Sequence, residues 1–211
     1  MENKDNCECK PLNEAEIHNK TLKMILIGSV SIILLVLLFF LIIDSIRHIK
    51  YNGTDFEVQK EGEIIIYKTA FPVYSSITGK HIADYNIYLR TDPRELEDIP
   101  LTGNVNTLNP IVLNMTEDFN CDGDGVIAVA NFAQSFNALG SKVIKDPKAK
   151  CDLNGKYTFI QIRSANETSI VQYGPSCYYI NVNNCEILKA TERFMLEKIT
   201  ESQNKKIIMN Q

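Results

Sequence analysis

The sequence lacks most of the patterns that indicate a particular chemistry. It shows no internal repeat, which excludes solenoid and propeller folds. It has no G-x-x-x-x-G-K-S/T motif, so no nucleotide phosphate loop is indicated. After residue 50 it contains a single histidine, His81, which we interpret as a surface side chain. A Ser-His-Asp or Cys-His catalytic set would depend on this one residue, so no catalytic residue is predicted.

Clusters of positive charge are also missing. The chain carries 22 Lys and Arg residues against 26 Asp and Glu residues, and no run of four basic residues occurs. Because phosphate binding needs a clustered basic surface, nucleic acid is not an expected partner. For the same reason, no patch for anionic lipids is indicated.

One long hydrophobic segment dominates the N-terminal part of the chain. Residues 24–43 are 20 consecutive residues without a charge, and as a helix they span about 30 Å, the thickness of a bilayer core. A buried core helix of this length would show a polar stripe. A cleaved signal peptide would have a shorter apolar region and small residues at a cleavage site, which the following DSIRHIK lacks. We therefore predict an uncleaved signal anchor, with a single transmembrane helix over residues 24–43.

The flanks of this segment indicate its orientation. The polar tail 1–23 holds four lysines, and the other flank holds three basic residues up to Lys60. The positive-inside rule then places the tail in the cytoplasm and the rest of the chain outside the cell membrane. We divide that remainder into a juxtamembrane linker at 44–54, one folded domain at 55–203 and a C-terminal tail at 204–211.

Four of the six cysteines lie in the predicted domain: Cys121, Cys151, Cys177 and Cys185. An even number of cysteines outside the cytoplasm favours disulfide bonds, and three connectivities are open. We prefer Cys121–Cys151 and Cys177–Cys185, because the second pair closes a short loop. A zinc site of four thiolates is the alternative, but the spacings of 30, 26 and 8 residues lack the close C-x-x-C pairs of such sites.

Alternating and β-branched runs predict strands in the domain. The runs EIIIYKTAF and HIADYNIYLR, separated by Thr78-Gly79-Lys80, predict an antiparallel hairpin. Further strands are predicted at IVLNMT, KVI and KYTFIQI and at residues 168–173 and 177–182, with Gly174-Pro175 as the turn between the last two. The passage from IVLNMT through the next helix to KVI is a possible βαβ unit.

Two principal helices are predicted. The first is VIAVANFAQSFNAL, with Gly140 as its C-cap and an apolar stripe of Val126, Val129, Ala130, Ala133, Phe136 and Leu139. The second begins near Asn184, with an apolar face of Ile187, Leu188, Thr191, Phe194, Met195 and Ile199, and with Glu192 and Arg193 on other faces. The fold class is therefore α+β: an N-terminal transmembrane helix followed by a domain with a mixed or antiparallel sheet and two principal helices.

One local pattern resembles a calcium-binding loop of the EF-hand or dockerin type. Oxygen ligands would come from Asn120, Asp122, Asp124 and Asn131, with Gly125 at the position of the sharp turn. The pattern departs from the motif because position twelve is Asn131 and not a carboxylate, and no second loop is present. The alternative is a polar loop that caps the following helix.

A second polar pattern lies at the end of a predicted strand, where Arg90, Asp92 and Arg94 surround a proline turn. Two arginines at such a position are suited to contact an anionic group or a partner. A capped turn with internal Arg–Asp pairing is the alternative.

The overall layout resembles single-pass membrane proteins of small-genome archaea to which no activity is assigned. The resemblance depends on CEILKATERFMLE near the C-terminus and on the helix DGVIAVANFAQSFNALG before it. It implies the topology and a cell-envelope setting, and it supplies no site residues.

We therefore expect a membrane-anchored, outward-facing binding or structural module of the cell envelope, without enzymatic activity. Its expected partners are the lipid bilayer, through residues 24–43, and another membrane or envelope protein. Two alternatives stay open: an anchored hydrolase that uses scattered carboxylates, and an adhesion module that is stabilised by calcium.

Overall fold

A computed structural model describes residues 14–74, 78, 80–119 and 121–209 of the chain. It confirms the α+β class, with three α-helices and two β-sheets in the described residues. The helices are α1 (Glu14–Arg47), α2 (Asp124–Ala138) and α3 (Ile187–Met209). The strands are β1 (His48–Tyr51), β2 (Thr54–Glu61), β3 (Ile64–Tyr74), β4 (His81–Leu89), β5 (Leu101–Thr102), β6 (Ile111–Met115), β7 (Val143–Lys145), β8 (Thr158–Ser164), β9 (Ser169–Gly174) and β10 (Cys177–Val182).

The hydrophobic segment lies in helix α1, which extends beyond the predicted bounds at both ends. Its portion Leu22–Arg47 is long and apolar enough to cross a membrane, judged by length and composition, and none of its apolar window is buried. The chain divides into two compact units, Met1–Ile46 and Arg47–Gln211. The second unit contains both sheets and the helices α2 and α3.

Strands β1 to β4 form a four-stranded antiparallel meander in chain order. The hairpin of β3 and β4 is the one that the sequence predicts. Phe56, Ile87 and Leu89 from this sheet are fully or almost fully buried, and they belong to the same hydrophobic core as α2 and α3. The meander is therefore an integral part of the domain.

The second sheet has six strands in the order β5-β9-β10-β8-β6-β7. Neighbouring strands are parallel except for β9 and β10, which form the hairpin predicted from Gly174-Pro175. Strands β6 and β7 are parallel and joined by α2, so the βαβ unit is confirmed. Because β6, β8 and β10 run in the same direction, the chain leaves all three at the same edge of the sheet.

The core lies between one face of the six-stranded sheet and helices α2 and α3. The ring of Phe194 on α3 lies 5.8 Å and 6.0 Å from the rings of Phe132 and Phe136 on α2. It also contacts Tyr178 on β10 edge-on, at 5.2 Å. Aromatic pairs in this geometry contribute about 0.5–1.5 kcal/mol each beyond the burial of their area.

The apolar face predicted for α3 is confirmed, whereas the stripe predicted for α2 is confirmed only in part, at Val129, Phe136 and Leu139. The buried side of α2 contains Gly125, Ala128, Phe132, Ser135 and Phe136, while Val126 is 68% exposed. Because α2 is apolar on most sides, its periodicity alone does not select a face, and the two phenylalanine rings do. Gly125 is required there, because a Cβ would overlap the carbonyl oxygen of Phe119.

All four domain cysteines form disulfides, but the preferred pairing is wrong. The bonds are Cys121–Cys185 and Cys151–Cys177, with Cα–Cα distances of 5.5 Å and 5.7 Å. Cys177 and Cys185 lie at opposite ends of β10, and a six-residue strand separates its ends by about 17–20 Å, far beyond the reach of a disulfide. Cys121 follows β6 and Cys185 follows β10, so the parallel strands bring them to the same sheet edge.

We predict that digestion of the oxidised chain without reductant yields peptides that link Cys121 to Cys185 and Cys151 to Cys177. Replacing either pair with alanine should lower the free energy of unfolding by about 3–4 kcal/mol, since the bonds close loops of 64 and 26 residues. Mass spectrometry of the peptides and urea unfolding check these two expectations. Peptides that link Cys121 to Cys151 would contradict the topology.

Candidate functional site

The predicted calcium ligands that the structure describes do not converge on one point. Asn120 lies outside the described residues. Asp122 is exposed in the short turn Cys121–Gly123, and Asp124 is the first residue of α2. Asn131 lies about 10 Å further along the axis of that helix. Calcium ligands all lie about 2.3–2.6 Å from the ion, so the structure does not bring these side chains together as a calcium loop.

Asp124 instead has two interactions within the fold. Its carboxylate lies in the first turn of α2, where the helix dipole favours a negative charge. It also pairs with Arg90, with 3.6 Å between Oδ1 and Nη1. Within the described ranges, no group of three His, Cys, Asp or Glu side chains is arranged to hold a metal ion.

The predicted partner contact is a capped turn with internal pairing. Asp92 is 8% exposed, and its Oδ1 accepts hydrogen bonds from the backbone N–H and the Nε–H of Arg94 at 2.9 Å and 3.0 Å. These bonds hold the pKa of the Asp92 carboxyl below its ordinary value. The Arg94 side chain remains 62% exposed. The structure thus shows the alternative internal pairing for Asp92 and Arg94, while Arg90 pairs with Asp124, and the partner contact stays a prediction.

Glu192 is the charged residue that sequence reasoning misplaced. It was assigned to a polar face of α3, but it is completely buried. Its Oε1 accepts the backbone N–H of Arg90 at 2.7 Å, and its Oε2 accepts the backbone N–H of Thr91 at 3.0 Å. Glu192 therefore ties the end of β4 to α3. No periodicity signals this role, because it depends on a segment about 100 residues earlier in the chain.

Burial raises the pKa of Glu192 to about 7, although the two backbone hydrogen bonds and the charge of Arg90 act in the opposite direction. The desolvation of a carboxylate outweighs these stabilising contacts. Because both oxygens are occupied and no part of the side chain is exposed, Glu192 acts within the fold and contacts no substrate.

The six-stranded sheet has a second face, which we call the outer face, opposite α2 and α3. On β8 and β10 the residues Ile160, Ile162, Tyr178 and Ile180 point into the core. Their neighbours Phe159, Gln161, Arg163, Tyr179 and Asn181 therefore lie on the outer face, because side chains alternate along a strand. This face carries polar and aromatic groups.

A stack of three planar groups lies on the outer face. The rings of Tyr173 and Tyr179 are 3.9 Å apart and nearly parallel, with 8° between their planes. The guanidinium of Arg163 lies 3.7 Å from the centre of the Tyr179 ring on its other side. Arg163 is fixed by a 2.8 Å hydrogen bond from its Nε–H to Asn181. Tyr179 is thus covered on both faces, and Tyr173 is 38% exposed at the end of the stack.

The segment 146–157 forms a wall beside this stack. The Asn114 amide donates hydrogen bonds to the carbonyls of Pro147 and Ala149 at 3.2 Å and 2.9 Å. Tyr157 donates its hydroxyl to the carbonyl of Lys150 at 2.6 Å. The disulfide of Cys151 joins the wall to the start of β10. These contacts hold the wall in one position over the sheet.

An open groove of about 660 Å³ lies between the wall and the stack, and we call it the sheet groove. This volume falls within the range of about 300–1,000 Å³ that is typical of small-ligand sites. The side chains that give it its chemistry are Asn114, Lys148, Lys150, Gln161, Tyr173 and Tyr179. None of its described lining residues is a carboxylate, a histidine or a serine.

Asn114 lies beneath the groove and holds the wall. The residue is 7% exposed, and its Oδ1 is buried without a hydrogen-bond partner. The orientation of the amide is fixed, because a flipped amide would place its oxygen against the carbonyls of Pro147 and Ala149. A buried acceptor without a donor costs about 1–3 kcal/mol, so Asn114 positions the wall at some cost in stability.

The phenol of Tyr173 is a neutral hydrogen-bonding group. Burial raises the pKa of Tyr173 above its ordinary value, and the neighbouring Tyr179 raises it further. A phenol that holds its proton at neutral pH does not act as a general base. Tyr173 therefore offers aromatic surface and a neutral hydroxyl group at the sheet groove.

A second groove, of about 370 Å³, has the opposite charge. It is lined by Glu95, Asp98, Glu167, Glu186 and Lys189, among others. Glu186 is already engaged, since it accepts a hydrogen bond from Thr168 and pairs with Lys189. The lining of the sheet groove thus carries lysines, whereas the lining of the second groove is mainly acidic.

The sequence of β8 contains a signal for the outer face of the sheet. Gln161 and Arg163 alternate with Ile160 and Ile162, which is the pattern of a strand with one polar face. The position of Lys148 and Lys150 beside that face had no such signal, because it depends on the path of the wall.

No protein-family model, no curated protein and no solved structure matches this chain. Its function is therefore inferred from the geometry of the chain itself.

We predict that the unfolding free energy of the chain falls as pH rises from about 4.5 to about 7. Glu192 has its raised pKa only in the folded state. Between these pH values the folded chain therefore binds more protons than the unfolded chain does. The effect is on the order of 3 kcal/mol. Glu192→Gln should flatten this slope in urea unfolding of the full chain in detergent, whereas exposed Glu61→Gln should not. An unchanged slope in Glu192→Gln would contradict the assignment.

Proposed function

We propose that this chain is a non-enzymatic binding module of the cell envelope, anchored in the membrane and facing outward. The polar tail 1–23 lies in the cytoplasm, residues 24–43 span the bilayer, and the domain binds an envelope component through the sheet groove. The observation that carries the proposal is the sheet groove itself. It combines aromatic, amide and cationic groups beside a fixed wall, and its described lining contains no carboxylate, histidine or serine.

Helix α1 supports the anchor. Its apolar window has a mean hydropathy of 3.2, and no part of the window is buried. A core helix of a soluble protein would bury these side chains against its own fold. Its portion Leu22–Arg47 has 26 residues, which is about 39 Å of helix and exceeds the hydrocarbon core of about 30 Å.

The disulfides support the outward orientation. Structural disulfides form and persist outside the reducing cytosol. The tail 1–23 holds four lysines against three basic residues on the other flank, which agrees with this orientation, because cytoplasmic flanks are enriched in basic residues. Both features favour a domain outside the cell membrane.

The carboxylates of the described residues give little support to a hydrolase. A hydrolase would need paired acids with shifted pKa values in a cleft. Glu192 has the raised pKa, but it is buried and fully hydrogen-bonded. A binding role is therefore better supported than hydrolysis.

We predict the outcome of thiol labelling with a membrane-impermeant maleimide on intact cells that express the full chain. The four domain cysteines should label only after reduction, because they are paired and outside. Cys7 and Cys9 should label only after lysis, and a Cys7→Ser/Cys9→Ser variant should lose that signal alone. Domain cysteines that label as free thiols, and only after lysis, would refute the proposed orientation.

A further inference from the structure

We propose that the sheet groove takes an acidic saccharide, a sugar chain whose rings carry carboxylates. This inference rests on the proposed function and names the ligand class of the same site. It is based on an exposed aromatic ring, two lysines, a side-chain amide and the position of the groove within the sheet.

The exposed ring is Tyr173. One of its faces is covered by Tyr179, and the residue as a whole remains 38% exposed. The π-face of an aromatic ring is negative and attracts the weakly positive C–H groups on the face of a sugar ring. The stack beneath it, from Tyr179 to Arg163, holds Tyr173 in place, so little conformational entropy is lost when a sugar packs against it.

The positive charge of Lys148 and Lys150 favours a ligand that carries carboxylate groups. Lys148 and Lys150 are exposed on the wall, and the described lining contains no carboxylate. The chain as a whole carries a net charge of −4, so this lining departs from the charge of the whole molecule. A carboxylate on the ligand would form charge-assisted hydrogen bonds with these ammonium groups.

The amide of Gln161 favours hydroxyl groups on the ligand. Gln161 lies partly exposed on the floor of the groove and offers both a donor and an acceptor, which suits neighbouring hydroxyls on a sugar ring.

The position of the groove disfavours an extended peptide. It lies over β8 and β10, which are interior strands with hydrogen-bonded neighbours on both sides. A peptide that binds by strand addition needs a free strand edge. No such edge is available at this position, so side chains alone must recognise the ligand.

The test uses the full chain in a detergent without sugar groups, with trigalacturonic acid as the probe. Its methyl ester is the neutral control, because it keeps the rings and removes the charge. A triglutamate peptide is the competing probe of similar charge. Isothermal titration should show binding of the acid, weaker binding as salt is raised, and binding of the ester that is at least about tenfold weaker.

Two groove variants each have a matched control. Tyr173→Ala and Lys148→Glu/Lys150→Glu should each weaken binding of the trisaccharide by about tenfold or more. Tyr88→Ala removes a comparably exposed tyrosine from the four-stranded sheet, and Lys60→Glu/Lys142→Glu makes the same change in charge away from the groove. Both controls should keep the affinity of the original chain.

The outcomes separate the ligand class from the proposed function. No binding of the trisaccharide, or equal losses in the groove variants and the controls, would overturn the saccharide assignment. Binding of triglutamate that the groove variants weaken would also overturn it, while the groove would remain a binding site. The labelling experiment tests the proposed function separately. The proposed function would be contradicted if the domain cysteines label as free thiols and only after lysis.

Discussion

The packing of α3 against one face of the six-stranded sheet determines the rest of the domain. Phe194 lies at the centre of that contact, between the rings of α2 and the Tyr178 ring of β10. Since α2 and α3 both take the core face, the outer face is left for polar and aromatic groups. The same packing buries Glu192, because the other side of α3 meets the end of β4. The polar and aromatic outer face and the buried acid thus have one physical cause.

Local patterns predicted the secondary structure well. Alternation in HIADYNIYLR and the turn at Gly174-Pro175 identified two hairpins that the structure confirms. The strand, helix and short strand around α2 identified the βαβ unit. Each of these features depends on residues that are near each other in the chain, where period and turn chemistry carry the information.

The features that were missed depend on long-range contacts. Cys121 meets Cys185 only because β6 and β10 are parallel and end at the same sheet edge. The buried face of α2 is set by contacts with α3, and Val126 fits the helical period as well as Phe132 does. The sheet groove requires the wall to fold back over β8. No spacing in the sequence contains that information, since it arises from the order of the strands.

We propose that an acidic saccharide binds on the outer face, between the wall and Tyr173. Hydrogen exchange of the full chain, measured by mass spectrometry with and without trigalacturonic acid, tests it most directly. We expect slower exchange in peptides that cover 146–157 and 171–179, since the ligand would restrain the wall. Protection confined to peptides of the acidic groove, around Glu95 and Glu186, or no protection at all, would contradict the account.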